Sequence, residues 1–582
     1  MEKRWVFKKQ GDKEAIKTLQ KDLGVNFHIA NLLAQRGIAT FDEAKAFFRP
    51  QLSDLHDPFL MMDMDKAIDR IETAITNKEK ILIYGDYDVD GTSAVALVYS
   101  VLKEFYYDLD FYIPDREKEG YGISLKSIDY ASDNNFKLII ALDCGIKASH
   151  EVAYAAEKGI DFIIGDHHRP GDELPKAVAV LDPKRDDCSY PYKELSGCGI
   201  GYKLAQAFYQ HRNVPLERLE SYLDLVAVSI ASDIVPITGE NRILAFYGLK
   251  IINSKPRPGI EAILRYSNVC KENGQFANNG FFFNRELTIN DLVFLVGPRI
   301  NAAGRIESGK KSVELLVTTD IEDALTVGAL VNNNNIERKS LDTFATQQAL
   351  EFIANDDFLS KSKSTVVYNP EWHKGVIGIV ASRLTETYYR PTIVLTLSNG
   401  FITGSARSVK DFDVYDAIEA CNDLLEHFGG HKYAAGLSMK PENLDLFIER
   451  FEEVVSSTIK DKMLVPEIEI DDSLVLTDIN PKFYKVLKQF APFGPDNLAP
   501  IFYTENVRDS GYSRIVGSNH LKLSIFHPDI SSLPYSGIAF QQGEYYPLIS
   551  KGMAFSICYH IEENDWNGKV SLQLAVKDIR FD

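Results

Sequence analysis

Residues 80–91 read KILIYGDYDVDG. An apolar run ends in three aspartates, Asp86, Asp88 and Asp90, spaced by two. A continuous apolar run is what a strand covered on both faces looks like. The acids mark its carboxyl end. Residues 92–105, TSAVALVYSVLKEF, follow as a helix that Thr92 or Ser93 can cap. The alternation then repeats. KLIIALDCG (137–145) is a strand ending in an acid, and ASHEVAYAAEKG (148–159) a helix. DFIIGDHH (161–168) is the third strand by this count and KAVAVLDPK (176–184) the fourth. Apolar strands alternating with helices predict a parallel α/β sheet with helices on both faces. Its polar residues all fall at the carboxyl ends of strands, the edge where open α/β sheets bind ligands.

Upstream, residues 1–55 read as a helical lead-in, and residues 62–80 as a helix with Ile68, Ile71 and Ile75 on one face. Downstream, the chain reads mainly helical from SGCGIGYKLAQAFYQ (196–210) to about residue 265. Residues 321–355 contain neither Pro nor Gly apart from Gly328, and read as one long helix bridging two lobes. The four asparagines 332–335 leave a low-complexity linker as the alternative. Strand-like runs resume at 364–370, 390–398 and 400–408, around a helix at 375–389, as a second α/β domain. From about residue 465, short strand-like runs with one helix at 480–490 suggest a small barrel.

Composition narrows the class. The chain has 582 residues, enough for three or four domains, and 45% are apolar, enough for large cores. The six cysteines include no CxxC pair, which points away from a zinc ribbon or a disulfide framework and towards a reducing cytoplasm. The opening MEKRWVFKKQGDKEA has no apolar signal-peptide core, and no run of about 18 apolar residues predicts a membrane span. A net charge of −19 argues against a surface coated for nonspecific nucleic-acid binding but leaves room for a basic groove.

In extended chain, carboxylates two residues apart point the same way and repel unless a cation neutralises them. Taken singly, DxDxD also fits a calcium-type loop or a solvated turn. Asp143 alone fits a helix cap, and His167 and His168 alone fit a polar loop. Together, three strands deliver Asp88 and Asp90, Asp143, and Asp166 to His168 to one edge. Carboxylates with an imidazole suit Mn2+, or Mg2+ with more oxygen ligands. Two such ions, about 3.5–4 Å apart, serve phosphoryl chemistry.

DYDVDG, LDCG, DHH and ASDIVP (231–236) occur here in the order and approximate spacing of the DHH phosphoesterases, which this sequence resembles. PDREKEGYG (114–122), SGCGIGYKL (196–204), GPRINAAGRI (297–306), GGHKYAAG (429–436) and PFGPDNLAPIF (492–502) extend the match. From about residue 50 to the C-terminus, the chain is similar to the bacterial single-strand-specific exonucleases of that family.

The resemblance implies a fold. A parallel-sheet DHH domain (56–310) is joined by a connecting helix (311–361) to a smaller α/β DHH-associated domain (362–462). A helical segment (1–55) precedes them, and an oligonucleotide-binding β-barrel (463–582) follows. It implies a two-metal centre of Mn2+ or Mg2+ on Asp88, Asp90, Asp143, His167 and Asp233, with Asp143 bridging. Asp86 stands beside it, in the metal shell or orienting its ligands. Where some members carry a His, this chain has Tyr84. Asp166 would fix an imidazole tautomer, and His168 would contact the scissile phosphate. Arg299, Asn301 and Arg305 would bind the strand. Ser382 and Arg383, near a helix start, would join Arg116 in a pocket for the 5′ end. Gly429, Gly430 and His431 would approach the substrate, with Arg407 a further contact.

The implied activity is 5′-3′ hydrolysis of single-stranded DNA to 5′-mononucleotides in repair and recombination. The implied setting is a cytoplasmic monomer, off the membrane, working with a helicase and a single-strand-binding protein. Two alternatives remain within the family: a phosphodiesterase for short oligonucleotides or cyclic dinucleotides, and a non-catalytic single-strand-binding replication scaffold. The intact acids and His167 argue against the scaffold. The C-terminal barrel and the lack of membrane or sensor segments argue against the small phosphodiesterases.

Overall fold

In the computed structural model, residues 2–116, 118–269, 282–306, 308–566 and 569–581 are described; Cys270 and Glu307 lie outside them. Two units result. One comprises residues 52–464, and the other residues 1–51 with 465–582.

In the larger unit, helix α1 (Met64–Asn77) precedes strand β1 (Lys80–Gly85) and helix α2 (Val89–Lys103). Strands β2 (Leu109–Tyr112), β3 (Phe136–Leu142), β4 (Asp161–Gly165) and β5 (Ala179–Leu181) complete a parallel sheet in the order β2-β1-β3-β4-β5. The strands are apolar throughout because alternate residues feed two cores. Ile81, Ile83, Leu138, Ile140 and Ile163 pack on one face, against α1, α2 and the later helix α3 (Gly197–His211). Leu82, Tyr84, Ile139, Phe162 and Ile164 pack on the other, with Ile128 and Val152 of two shorter helices. Each such side chain contributes about 1.5–3 kcal/mol on burial.

Helices α4 (Leu223–Ser232), α5 (Gly239–Ser254) and α6 (Gly297–Ile306) extend the first core. The predicted bridge is one 35-residue helix, α7 (Ile321–Asn355), capped by the Asp320 carboxylate on the amides of Glu322 and Asp323. Its buried stripe runs Ala324, Gly328, Val331, Asn335, Arg338, Asp342, Ala345, Ala349 and Ile353. Steps of three and four keep that stripe on one face, which settles Asn332 to Asn335 as helix. Next come β6 (Thr365–Tyr368), helix α8 (Ile377–Tyr388), and strands β7 (Thr392–Ser398), β8 (Phe401–Arg407), β9 (His427–His431) and β10 (Ala434–Met439). The sheet order is β9-β10-β8-β7-β6, with only β6 and β7 parallel.

In the smaller unit, β11 (Phe502–Asp509), β12 (His520–His527), β13 (Ser531–Ala539), β14 (Phe555–Trp566) and β15 (Lys569–Arg580) pair in the order β11-β14-β15-β13-β12. Pairing of Arg508 with Phe526 and of Asp509 with Ile525 closes the ring into a barrel. The N-terminal helices share its core: Leu19 and Leu33 cluster with Phe490, Phe502 and Leu523.

Four strands lie where the sequence pattern predicts none: Arg4–Phe7, β2, β9 and β10. Arg4–Phe7 pairs in parallel with Glu467–Ile470, so the N-terminal segment is not wholly helical. β2 is a four-residue edge strand, and β4 is therefore the fourth strand of its sheet in chain order, not the third. These two are too short for alternation to stand out. Among the described residues, no helix is long and apolar enough to cross a membrane.

Candidate metal centre

The acids do converge at the carboxyl edge of the first sheet, though not as an extended-chain reading places them. Helix α2 begins at Val89, so the two-residue alternation stops at Asp86. Asp88 is the N-cap, its carboxylate accepting the Gly91 amide at 3.0 Å. Thr92 and Ser93, the expected caps, lie inside the helix. An Asp cap followed by an acid in the first turn suits the orphan amides and the positive end of the helix dipole.

Asp90 is that first-turn acid. It accepts the amides of Gly197 and Cys198, both at 2.7 Å, and the Ser229 hydroxyl at 2.7 Å. The start of α3 and one side chain of α4 thus fix its position. Asp143 follows β3 with φ +60°, its amide donating to Gly165 O. A Cβ on Gly197 would lie 2.6 Å from Asp143 Cβ and 2.7 Å from its Oδ1. Only glycine leaves room there. Gly197→Ala is expected to displace Asp143 and lower kcat at least about tenfold, since misplacement by about 1 Å can cost about 100-fold. Steady-state assay beside a thermal melt checks this; unchanged kcat would contradict it.

His167 Nε2 lies 3.2 Å from Asp143 Oδ1, 3.5 Å from Asp233 Oδ2 and 3.7 Å from Asp90 Oδ2. Asp233 ends α4, and Ile234 behind it turns the chain at φ +58°. Both ring nitrogens of His167, Asp143 Oδ1 and Asp86 Oδ1 are buried without a hydrogen-bond partner. Such atoms are rare in native interiors, and here they gather in one place. Burial, and then Asp90 and Asp88, push the Asp143 carboxyl well up and that of Asp233 to about 8. Burial and Asp88 do the same to Asp86. Carboxylates that repel one another this strongly, with an imidazole among them, fit divalent cations. One ligand atom each from Asp143, His167 and His168, and from Asp90, His167 and Asp233, lie within 4.8 Å of one another.

Asp166 serves His168. Its Oδ1 accepts His168 Nδ1 at 2.8 Å and the amides of His167 and His168, while Oδ2 accepts the Ile146 amide at 2.9 Å. Burial opposes its charge, but the His168 contact and the amides outweigh it and hold the carboxyl at about 2. Burial likewise opposes charge on His168, yet Asp166 raises it to about 9. The Asp166 contact thus favours the charged form of His168, whose side chain is 37% exposed. Tyr84 turns away from the acids: its hydroxyl donates to Gly122 O at 2.7 Å, and its ring stacks on Tyr112.

The basic residues divide. Arg116 lies over the Tyr87 ring, Arg305 donates to Gly375 O at 2.9 Å, and Arg407 donates to Ser405 Oγ at 3.0 Å. Burial first, then Arg116, Arg338 and Arg407, lower Arg305 to about 10. Such a cation surplus suits phosphate. Asn301 is half-buried on α6 beside them in sequence. Arg299 is 7% exposed and packs α6 onto α7, donating to Asn332 Oδ1, Leu295 O and Tyr266 O.

Ser382 and Arg383 are not at a helix start. They are the sixth and seventh residues of α8, with Ser382 Oγ donating to Gly378 O. Near the start of α8 stand Ser405 and Arg407, whose Oγ and Nη2 would lie 3.0 and 3.1 Å from a Cβ on Gly378. Gly429, Gly430 and His431 are exposed on β9. Gly430, at φ +147°, has no room for a Cβ, which would meet Ala434 O at 2.4 Å. Gly429 borders a cavity of about 460 Å3 with Lys374, Phe401 and His427.

Sequence reasoning passed over Asp182, wholly buried at the end of β5 and raised to about 7 chiefly by burial. The signal was present: it ends a strand at the same edge. It also passed over Arg338 and Asp342, which are buried mid-helix.

Family models match three stretches: the DHH family N-terminal domain at residues 80–230, the DHHA1 domain at 361–457 and the RecJ OB domain at 470–578. The single-stranded-DNA-specific exonuclease RecJ of Bacillus subtilis is 35% identical over 99% of this chain and 70% of its own length. That of Escherichia coli is 30% identical over 95% of both chains. The crystal structure of RecJ in complex with Mn2+ from Thermus thermophilus superposes with a TM-score of 0.83 at 25% identity, covering 100% of this chain and 80% of that one. A structure of exonuclease RecJ bound to manganese matches 71% of this chain and 98% of its own, with a TM-score of 0.58 at 28% identity.

Proposed function

The chain belongs to the RecJ family of single-stranded-DNA-specific exonucleases, and from that premise we propose that it degrades single-stranded DNA from the 5′ end, releasing 5′-mononucleotides. The observation that carries this reading is the gathering of buried, unpartnered atoms of Asp86, Asp143 and His167 at one sheet edge. Asp86, Asp88, Asp90, Asp143, His167 and Asp233 would hold two divalent ions, Mn2+ or Mg2+. Bound there, the ions activate water and offset charge at the phosphorus.

The chain's own residues do the rest. The α3 amides and Ser229 keep Asp90 aimed. Asp166 keeps His168 protonated, so that its Nε2–H donates to an oxygen of the scissile phosphate. His167, whose two ring nitrogens are buried without a hydrogen-bond partner, is the histidine ligand. Arg116, Arg305 and Arg407 seat phosphates, with Asn301 beside them. Gly429, Gly430 and His431 let the strand approach β9. The barrel adds single-strand affinity of the kind such folds supply.

The enzyme acts as a cytoplasmic monomer in DNA repair and recombination, beside a helicase and a single-strand-binding protein. Ser382 and Arg383 read the 5′ end. Arg383→Ala is expected to raise KM for 5′-phosphorylated strands about tenfold and to change KM for 5′-hydroxyl strands less, as loss of one charge-assisted contact would. Steady-state kinetics on the paired substrates tests the assignment; an equal loss on both ends would remove it.

A further inference from the structure

Halfway along α7, a carboxylate stands where solvent does not reach. Asp342 is wholly buried, and an unpaired charge there would be costly. Its two oxygens serve two different guanidiniums. Arg338, one turn earlier, donates from Nη1 to Oδ2 at 2.8 Å. Arg383, on α8, brings Nη2 to 2.7 Å from Oδ1 as an ion pair without hydrogen-bond alignment, so that Oδ1 has no hydrogen-bond partner. The pair within α7 would suffice to neutralise Asp342; the second contact instead ties α7 to one side of Arg383. That side chain is 42% exposed, so its guanidinium is held at one edge and open elsewhere.

The surroundings are short of anions. Arg338 also donates to Asn335 Oδ1 at 2.7 Å, yet its buried Nε has no partner, nor has Asn335 Nδ2. Lys339 is held below the usual lysine range by burial, then by Arg299 and Arg338. A part-exposed arginine in such a setting suits a phosphate, and a guanidinium fork binds one well only when it is aimed.

We propose that Asp342 is a positioning residue: it pins one edge of the Arg383 guanidinium so that another edge meets the phosphate at the 5′ end of the strand. This rests on the end-reading role given to Arg383 above. Two effects of Asp342 oppose each other, and their signs differ. Through space its negative charge repels the phosphate, so removing it would tighten binding. By presetting the fork it favours the phosphate, so removing it would weaken binding. The proposal is that presetting wins, because Asp342 is already neutralised by two arginines.

The test uses the full chain with Mn2+ and one oligonucleotide carrying either a 5′ phosphate or a 5′ hydroxyl. Asp342→Asn is expected to cut the KM preference for the phosphorylated end about tenfold, with kcat changed less than about twofold. Asp342→Glu should recover part of the preference. In an Arg383→Ala background, Asp342→Asn should add less than about twofold, because both act through one guanidinium. Arg383→Lys keeps the charge without touching the buried acid and should also lose the preference about tenfold. An unchanged or stronger preference in Asp342→Asn overturns the proposal, as do additive losses in the double variant. A lowered melting temperature with the preference intact also overturns it, leaving Asp342 a packing residue. If Arg383→Ala and Arg383→Lys both keep the preference, the end-reading role of Arg383 fails and the proposal with it.

Discussion

Asp143→Ala is expected to lower kcat on single-stranded DNA about 1,000-fold while changing the Kd for the strand less than about threefold. Asp143 is buried among Asp86, Asp88, Asp90 and Asp233, and its Oδ1 is the oxygen nearest His167 Nε2, at 3.2 Å. Its removal opens the middle of the donor set. The phosphate-seating arginines remain: Arg305 on Gly375 and Arg407 on Ser405 do not depend on it. Chemistry should therefore fall far more than binding. Single-turnover cleavage, paired with fluorescence anisotropy on a labelled strand without metal, separates the two. Turnover within about tenfold of wild type would take Asp143 out of the centre.

The second large effect concerns stability. Glu240 on α5 is buried with Lys203 of α3, Nζ to Oε1 at 2.7 Å. The same carboxylate accepts the Tyr190 hydroxyl at 2.7 Å and the His56 amide at 3.0 Å. Lys203 in turn donates to His56 O and Gln206 Oε1. Glu240→Ala leaves an ammonium without its counter-charge in a site already hostile to it, where burial lowers the lysine's proton affinity. Breaking one side of a buried pair costs about 3–5 kcal/mol. Glu240→Leu combined with Lys203→Met removes both charges and should cost less than Glu240→Ala alone. Urea midpoints of the first unfolding transition compare them. A loss below about 1 kcal/mol in Glu240→Ala would show that α3 and α5 are held by apolar packing alone.

How much of this was legible beforehand depends on how local each cause is. The first sheet was readable because strands such as Ile81 to Gly85 and Leu138 to Leu142 are apolar without a break, which few alternatives explain. Helix α7 was readable because residues 321–355 hold no Pro and a single Gly, and the barrel from its short strand-like runs. The strand-end acids were readable as a set. Their individual geometry was not. That Asp90 faces α3 depends on amides at Gly197 and Cys198, 107 and 108 residues away. That Asp166 partners His168 depends on how one turn closes. Arg299 and Arg407 look alike in sequence, yet one packs two helices and the other stands at the start of α8. Asp342 went unmarked because nothing local shows which face of α7 is covered.

The most direct test of the central claim is a time course on a single strand labelled at its 5′ end, with Mn2+ present or removed by chelator. The account predicts that the label appears first as a mononucleotide, only with metal, and not from a blunt duplex of the same sequence. Label retained on progressively shorter fragments, or cleavage that persists in chelator, would contradict it.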